Sequence, residues 1–238
     1  MFIGGSRLGF RFRYPGGEPG LSQFPNSGFE EGLTSWTMVN DRFFFNSSGR
    51  SPTVINGVAA PANPNPNPYG SPGDVYGNGS QNYNGRIDVH SNFGNPPPDG
   101  GVNCVALSSF AIQGGEGGSL YGPYFYSNNA VFANVGDTIE FYWRAFSSSN
   151  PRENDAFSVR SYAFTKSGNI IFLLNSSAPS PGTVTSWAKA ERTIAAGEEG
   201  AYYFVFVCGS WDATYGTVVG SSLLVDNVKL RKVIFSGD

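Results

Sequence analysis

The sequence predicts an all-β protein: a two-sheet antiparallel β-sandwich of jelly-roll type, with an extended N-terminal arm and a long Pro/Asn/Gly-rich loop. Three observations predict it. Gly (32) and Pro (16) are frequent while charged residues make up only 14% of the 238, which suits many short strands joined by tight turns. Aromatics reach 15%, enough to fill the space between two sheets. Apolar runs of strand length follow one another through the second half, separated by Gly, Pro, Asn or Asp. The length suits a single large sandwich, and helix is disfavoured almost everywhere.

Residues 1–25 read as an arm rather than core, because Gly, Pro and Arg recur and apolar positions are sparse. Within it Phe10, Arg11, Phe12, Arg13 and Tyr14 alternate apolar with aromatic-flanked basic residues, the pattern of a strand that lays one face on a partner and shows Arg on the other. Together with Arg7 these are the expected docking residues. The start does not read as a secretory signal, since Gly4, Gly5, Arg7, Arg11 and Arg13 interrupt any apolar core.

The sandwich is expected over residues 26–235. Phe29, Leu33 and Trp36 stand among turn-forming residues, and FFFNS follows; both read as its first strands. Residues 56–103, with an NPNPNP run and a PPP run, have little strand character and read as a surface insertion of turns and polyproline II pieces. It is expected to act as a lid or contact loop. The Gly-rich run at 114–122 reads as a flexible hairpin or loop, not a phosphate cradle, because no helical pattern follows it.

Seven strands are then legible: VNCVALSSF, DTIEFYWRAF, AFSVRSYAF, NIIFLLN, AKAERTIA, GAYYFVFVCG and SLLVDNVKLRKV. In the second, Ile139, Phe141 and Trp143 fall on one face and Glu140, Tyr142 and Arg144 on the other. GAYYFVFVCG is apolar on both faces, so it should be central and covered on both sides. Roughly eight to ten strands in a double sheet is the expected count. Cys104 and Cys208 each sit in an apolar run; a bridge between strands and buried free thiols are both open, with the reduced state preferred.

Several function classes drop out. A net charge of -3 offers no global attraction to nucleic acid or an anionic membrane, and no apolar run of about 18 residues spans a bilayer. The one histidine, His90, lies in a polar stretch, and no nucleophile elbow, Walker loop or zinc-protease motif is present. Glycosidase chemistry stays open on this ground, since it needs only two carboxylates about 5 to 10 Å apart and the chain has 18 acidic residues. No catalytic residue is assigned, and the chain is expected not to be an enzyme.

Three phrases in order, N-S-G-F-E-E-G-L-x-x-W at 26–36, V-G-D-T-I-E-F at 135–141 and S-L-L-V-D-N-V-K-L at 222–230, resemble the jelly-roll, galactose-binding-like carbohydrate-binding modules of polysaccharide hydrolases. The resemblance covers about residues 26–231. It implies sugar stacking on exposed aromatics, for which Tyr142, Tyr162, Trp187 and Trp211 are the candidates. It also implies a structural calcium held by Glu30 and Asp226, with no other cofactor required. With the arm, the reading is a virion structural or attachment protein of a tailed bacteriophage: a capsid decoration, tail or fibre component. Its expected partners are other virion subunits, further copies of itself, with a trimer favoured, and host surface polysaccharide. The alternative is an extracellular carbohydrate-binding module associated with a polysaccharide-degrading enzyme.

Overall fold

The computed structural model describes residues 25–46, 51–64, 82–93, 101–110, 118–149, 156–179, 184–212 and 219–233. The docking residues Arg7, Phe10, Arg11, Phe12, Arg13 and Tyr14 lie outside them. The described chain is all-β, a sandwich of two antiparallel sheets. One is six-stranded: β1 (Trp36–Val39), β6 (Gly118–Ser127), β12 (Gly200–Asp212), β9 (Ala156–Thr165) and β10 (Ile170–Pro179) in that spatial order, with β7 (Val131–Ala133) also paired to β12. The other is five-stranded: β11 (Ala188–Thr193), β8 (Thr138–Ser149), β13 (Val219–Arg231), β5 (Asn103–Phe110) and β4 (Asn82–Val89). A separate small hairpin joins β2 (Val54–Ile55) to β3 (Val58–Ala59).

All seven segments legible in the sequence form strands. Between the sheets, Phe125 stacks on Phe206 at 4.6 Å, Phe141 meets Phe206 edge-on at 4.9 Å, and Phe29 and Trp36 close one end at 5.4 Å from each other. Each such ring taken from water contributes about 1.5–3 kcal/mol. Doubly apolar β12 occupies the middle of its sheet: Tyr202, Phe204, Phe206 and Cys208 point into this core, and Val205 and Val207 into a second one on the opposite face.

The first phrase of the sandwich is a turn held by Asn26. Its Nδ2 donates to the carbonyls of Gly32 and Thr34, its Oδ1 accepts the Glu31 amide, and its own carbonyl accepts the Trp36 indole N–H. The turn is tied to β13 by the Val228 amide, which donates to the Ser27 carbonyl. The Gly-Asp phrase has an equally local cause. Gly136 takes φ of 84°, where an L side chain is strained and a Cβ would meet Val233 at 3.0 Å. Asp137 beside it accepts the amides of Asn134 and Val233 and the Lys232 ammonium, pinning the end of β13.

Four expectations need correction. The insertion at 56–103 contains the eight-residue strand β4, which completes the edge of the five-stranded sheet. The Gly-rich run at 114–122 leads into β6, a ten-residue strand between β1 and β12. In both, pairing partners on a neighbouring strand outweigh local Gly and Pro signals. FFFNS is not a sandwich strand: Phe43 and Phe45 are fully buried on the outside of the six-stranded sheet. Finally, the two sheets hold more strands than the eight to ten expected, because β4 and β6 join them.

Candidate functional site

The outer face of the five-stranded sheet collects most of the unusual chemistry. On β8, Ile139, Phe141 and Ala145 are fully buried toward the core, and Trp143 packs against it. Alternation therefore sends Glu140, Tyr142, Arg144 and Phe146 outward. The register places Asp226 and Lys189 on either side of Tyr142, and Leu224 beside Arg144. Trp187 directly precedes Ala188, which pairs with Trp143, and its side chain packs on Leu224.

The floor of this face is a small apolar patch of Cys104, Ala106 and Leu224, against which Phe146 and Trp187 pack. His90 follows β4 at one edge of the sheet and Trp187 precedes β11 at the other, yet their rings lie 5.8 Å apart, tilted by 63°. The two edges thus fold side chains over the middle. His90 is 2% exposed, and its Nε2 lies 2.8 Å from Oδ2 of the fully buried Asp226, a close contact without aligned hydrogen-bond geometry.

Charges around the rim are neutralised in pairs. Arg86 meets Asp88 at 2.7 Å; Lys189 meets Glu191 at 2.5 Å and Glu140 at 3.6 Å; Arg231 meets Glu140 at 3.2 Å. The hydrogen bond between Lys189 and Glu191 holds the ammonium above and the carboxyl below their ordinary pKa values. Burial works to raise Asp88, but hydrogen bonds from Asn92, the Val89 amide and Arg86 outweigh it and leave its carboxyl low. Lys229 faces Glu140 across the ladder. Arg144 is different: among the described residues it makes no hydrogen bond or ion pair, and its Nε is buried without a partner, as is the Trp187 Nε1.

This chemistry suits recognition more than catalysis. Burial, reinforced by the Asp226 and Asp88 carboxylates, pushes the Cys104 thiol up to about 12, so it is no nucleophile at neutral pH. Cys208 points into the core from the other sheet and is also free, so the two cysteines are not bridged.

Of the aromatics expected from sequence to bind sugar, Tyr142 and Trp187 share this face and both are partly exposed. Tyr162 does not belong with them: it is 2% exposed inside the second core, on the other sheet, where no ring can stack on it. Trp211 is on β12, also in the other sheet, and its side chain is outside the described residues. Arg144 and His90 are the site residues that sequence reasoning missed. The alternation in β8 had already set Arg144 beside Tyr142, whereas nothing local signals that His90 reaches Asp226.

Glu30 and Asp226 lie near each other's loops but are differently engaged. Glu30 Oε1 accepts the amides of Val102 and Asn103 at 2.8 Å each, and Asp226 Oδ1 accepts the Asn227 amide at 2.7 Å. Calcium takes six to eight oxygens. Here a histidine nitrogen meets the second Asp226 oxygen, and no cluster of three or more His, Cys, Asp or Glu able to hold a metal occurs among the described residues. As placed, Glu30 Oε1 and Asp226 Oδ1 are taken by backbone amides.

No protein-family profile matches the chain, and no curated protein matches it. Among solved structures it is similar to TmCBM61 in complex with β-1,4-galactotriose, at 11% identity and a TM-score of 0.38, over 88% of this chain and 97% of that one. It is similar at 11% identity and a TM-score of 0.38 to the enzymatically active domain of bacteriophage CBA120 tailspike protein 4, over 88% of this chain and 21% of that one. The C-terminal family 22 carbohydrate-binding module of Clostridium thermocellum Xyn10B is similar at 11% identity and a TM-score of 0.30, over 66% and 90%.

Proposed function

We propose that this chain is a non-enzymatic attachment protein that holds a glycan on the outer face of its five-stranded sheet. The observation that carries the reading is the placement of Trp187 and Tyr142 on that face, flanking Arg144 over an apolar floor of Cys104, Ala106 and Leu224. A sugar ring needs an aromatic face to lie on and polar groups at its rim. Both are present there. The carboxylates of the face are each engaged by a cation, a histidine or an amide, which supports binding over general acid and base work.

The setting proposed is a virion, as a capsid decoration, tail or fibre component assembled with other subunits and with itself. In it the arm docks through Arg7, Phe10, Arg11, Phe12, Arg13 and Tyr14, and the sandwich projects toward host polysaccharide. A module beside a polysaccharide-degrading enzyme would use the same face and have no need of the arm. One comparison separates them: the full chain and a version beginning at Leu21, tested by light scattering and on a glycan array. Arm removal is expected to abolish self-association and leave glycan binding intact. Two monomers that both bind glycan would favour the module, and an array silent for both would remove the glycan reading.

A further inference from the structure

We infer that Arg144 is an anion-pairing subsite, and that the glycan held on this face carries carboxylates, as uronic acid residues do. The inference rests on the glycan-binding reading and specifies its ligand class. Its physical basis is the exception that Arg144 makes to the pairing around it. Arg86, Lys189 and Arg231 each have a carboxylate within 4.0 Å, and Lys229 is opposite Glu140 in the ladder. Arg144 instead has apolar Leu224 opposite it in the ladder, and Leu224 is in turn packed by Trp187. The nearest carboxylate in the ladder, Asp226, is already met by His90 at 2.8 Å.

The Nε of Arg144 has given up water without gaining an acceptor, while its terminal guanidinium nitrogens stay open to an incoming acceptor. Its Nε is buried and unpaired, and so is the neighbouring Trp187 Nε1. The open terminal nitrogens of Arg144, on a face that also carries Tyr142 and Trp187, match a pyranose bearing a carboxylate: the ring lies on an aromatic side chain while the planar carboxylate takes the guanidinium fork. A neutral sugar would satisfy the stacking surface and leave the cation without a counter-charge. The chain as a whole carries -3, so attraction to an acidic polymer would have to be local and not a property of bulk charge.

The test is affinity electrophoresis of the full chain at 150 mM salt. The gels hold polygalacturonate, alginate or hyaluronan on one side, and dextran, galactan or xylan on the other. Retardation by at least one acidic polymer is expected. Arg144→Gln should weaken it roughly 10- to 100-fold, the range for a lost charge-assisted hydrogen bond, and Arg144→Lys should restore part of the loss. Thermal melting of each variant checks that it remains folded; should Arg144→Gln not fold, Arg144→Lys against Trp187→Ala carries the comparison. Retardation by neutral polymers alone, or acidic binding unmoved by either Arg144 variant, overturns the inference and leaves glycan binding standing. Absence of retardation in every gel overturns both.

Discussion

The two outer faces of the sandwich have met opposite fates. On the six-stranded sheet, Tyr124, Tyr162, Phe164, Val205 and Val207 turn outward and are nonetheless buried, because Phe43, Phe45, Ile55 and Ala60 from the segment that carries the β2–β3 hairpin lie over them. Rings there interlock at 4.9 to 6.4 Å, from Phe43–Phe45 to Phe45–Tyr162. On the five-stranded sheet the apolar floor is three residues, and the face also carries charged, aromatic and hydroxyl side chains, some with hydrogen-bonding groups that lack a partner. Covering a face requires chain from elsewhere to be given up to it. One face received that cover and became a second core. The other kept a surface with buried polar atoms that lack a partner.

The contrast can be broken most forcefully at Phe43. If the second core is a true core, Phe43→Ala should cost about 3–5 kcal/mol, seen as a lower urea midpoint, with glycan binding unchanged. A loss under about 1 kcal/mol would reduce the segment to a loose cover. Next comes His90. Its replacement by Ala takes the imidazole from the buried Asp226 carboxylate and removes a ring from beside Trp187, so about 3 kcal/mol and much of the glycan affinity should go together. Added calcium should leave the wild-type melting temperature unchanged, and a rise of several degrees would mean that Glu30 and Asp226 rearrange to hold the ion.

The smallest effect is expected at Asp137, far from the binding face. Burial works to raise its carboxyl, but Lys232 and the amides of Asn134 and Val233 outweigh it and hold the group below its ordinary 3.8. Folded chain therefore binds fewer protons there than unfolded chain. This contribution is complete above the ordinary value and is lost as pH falls through the lowered folded one. Asp137→Asn should cost about 1–3 kcal/mol at pH 7 and flatten the acid limb of a stability profile, with glycan affinity at neutral pH unaltered.

Local reasoning reached the strands whose pattern is carried by their own side chains. β8 shows its two faces by alternation, and β12 declares a central position by being apolar on both. Asn26 and Gly136 mark turns whose bonds close within a few residues. It fell short for β4 and β6, whose Asn, Gly and Pro content reads as loop until a partner strand supplies the ladder. Tyr162 failed for a related reason: exposure of an outward-facing ring depends on whether something lies over it.

Composition and period thus determined an all-β sandwich, the strands of its second half and the pairing of Tyr142 with Arg144 on one face. Tertiary structure decided which outer face was sealed, that Trp187 would pack on Leu224, and that His90 would reach Asp226 across β5. The physical reason is range. Alternation and turn chemistry act over two to six residues and are written locally. The cover over a sheet face and the contact of His90 with Asp226 depend on segments brought together from more than a hundred residues apart, which only the completed sheets define.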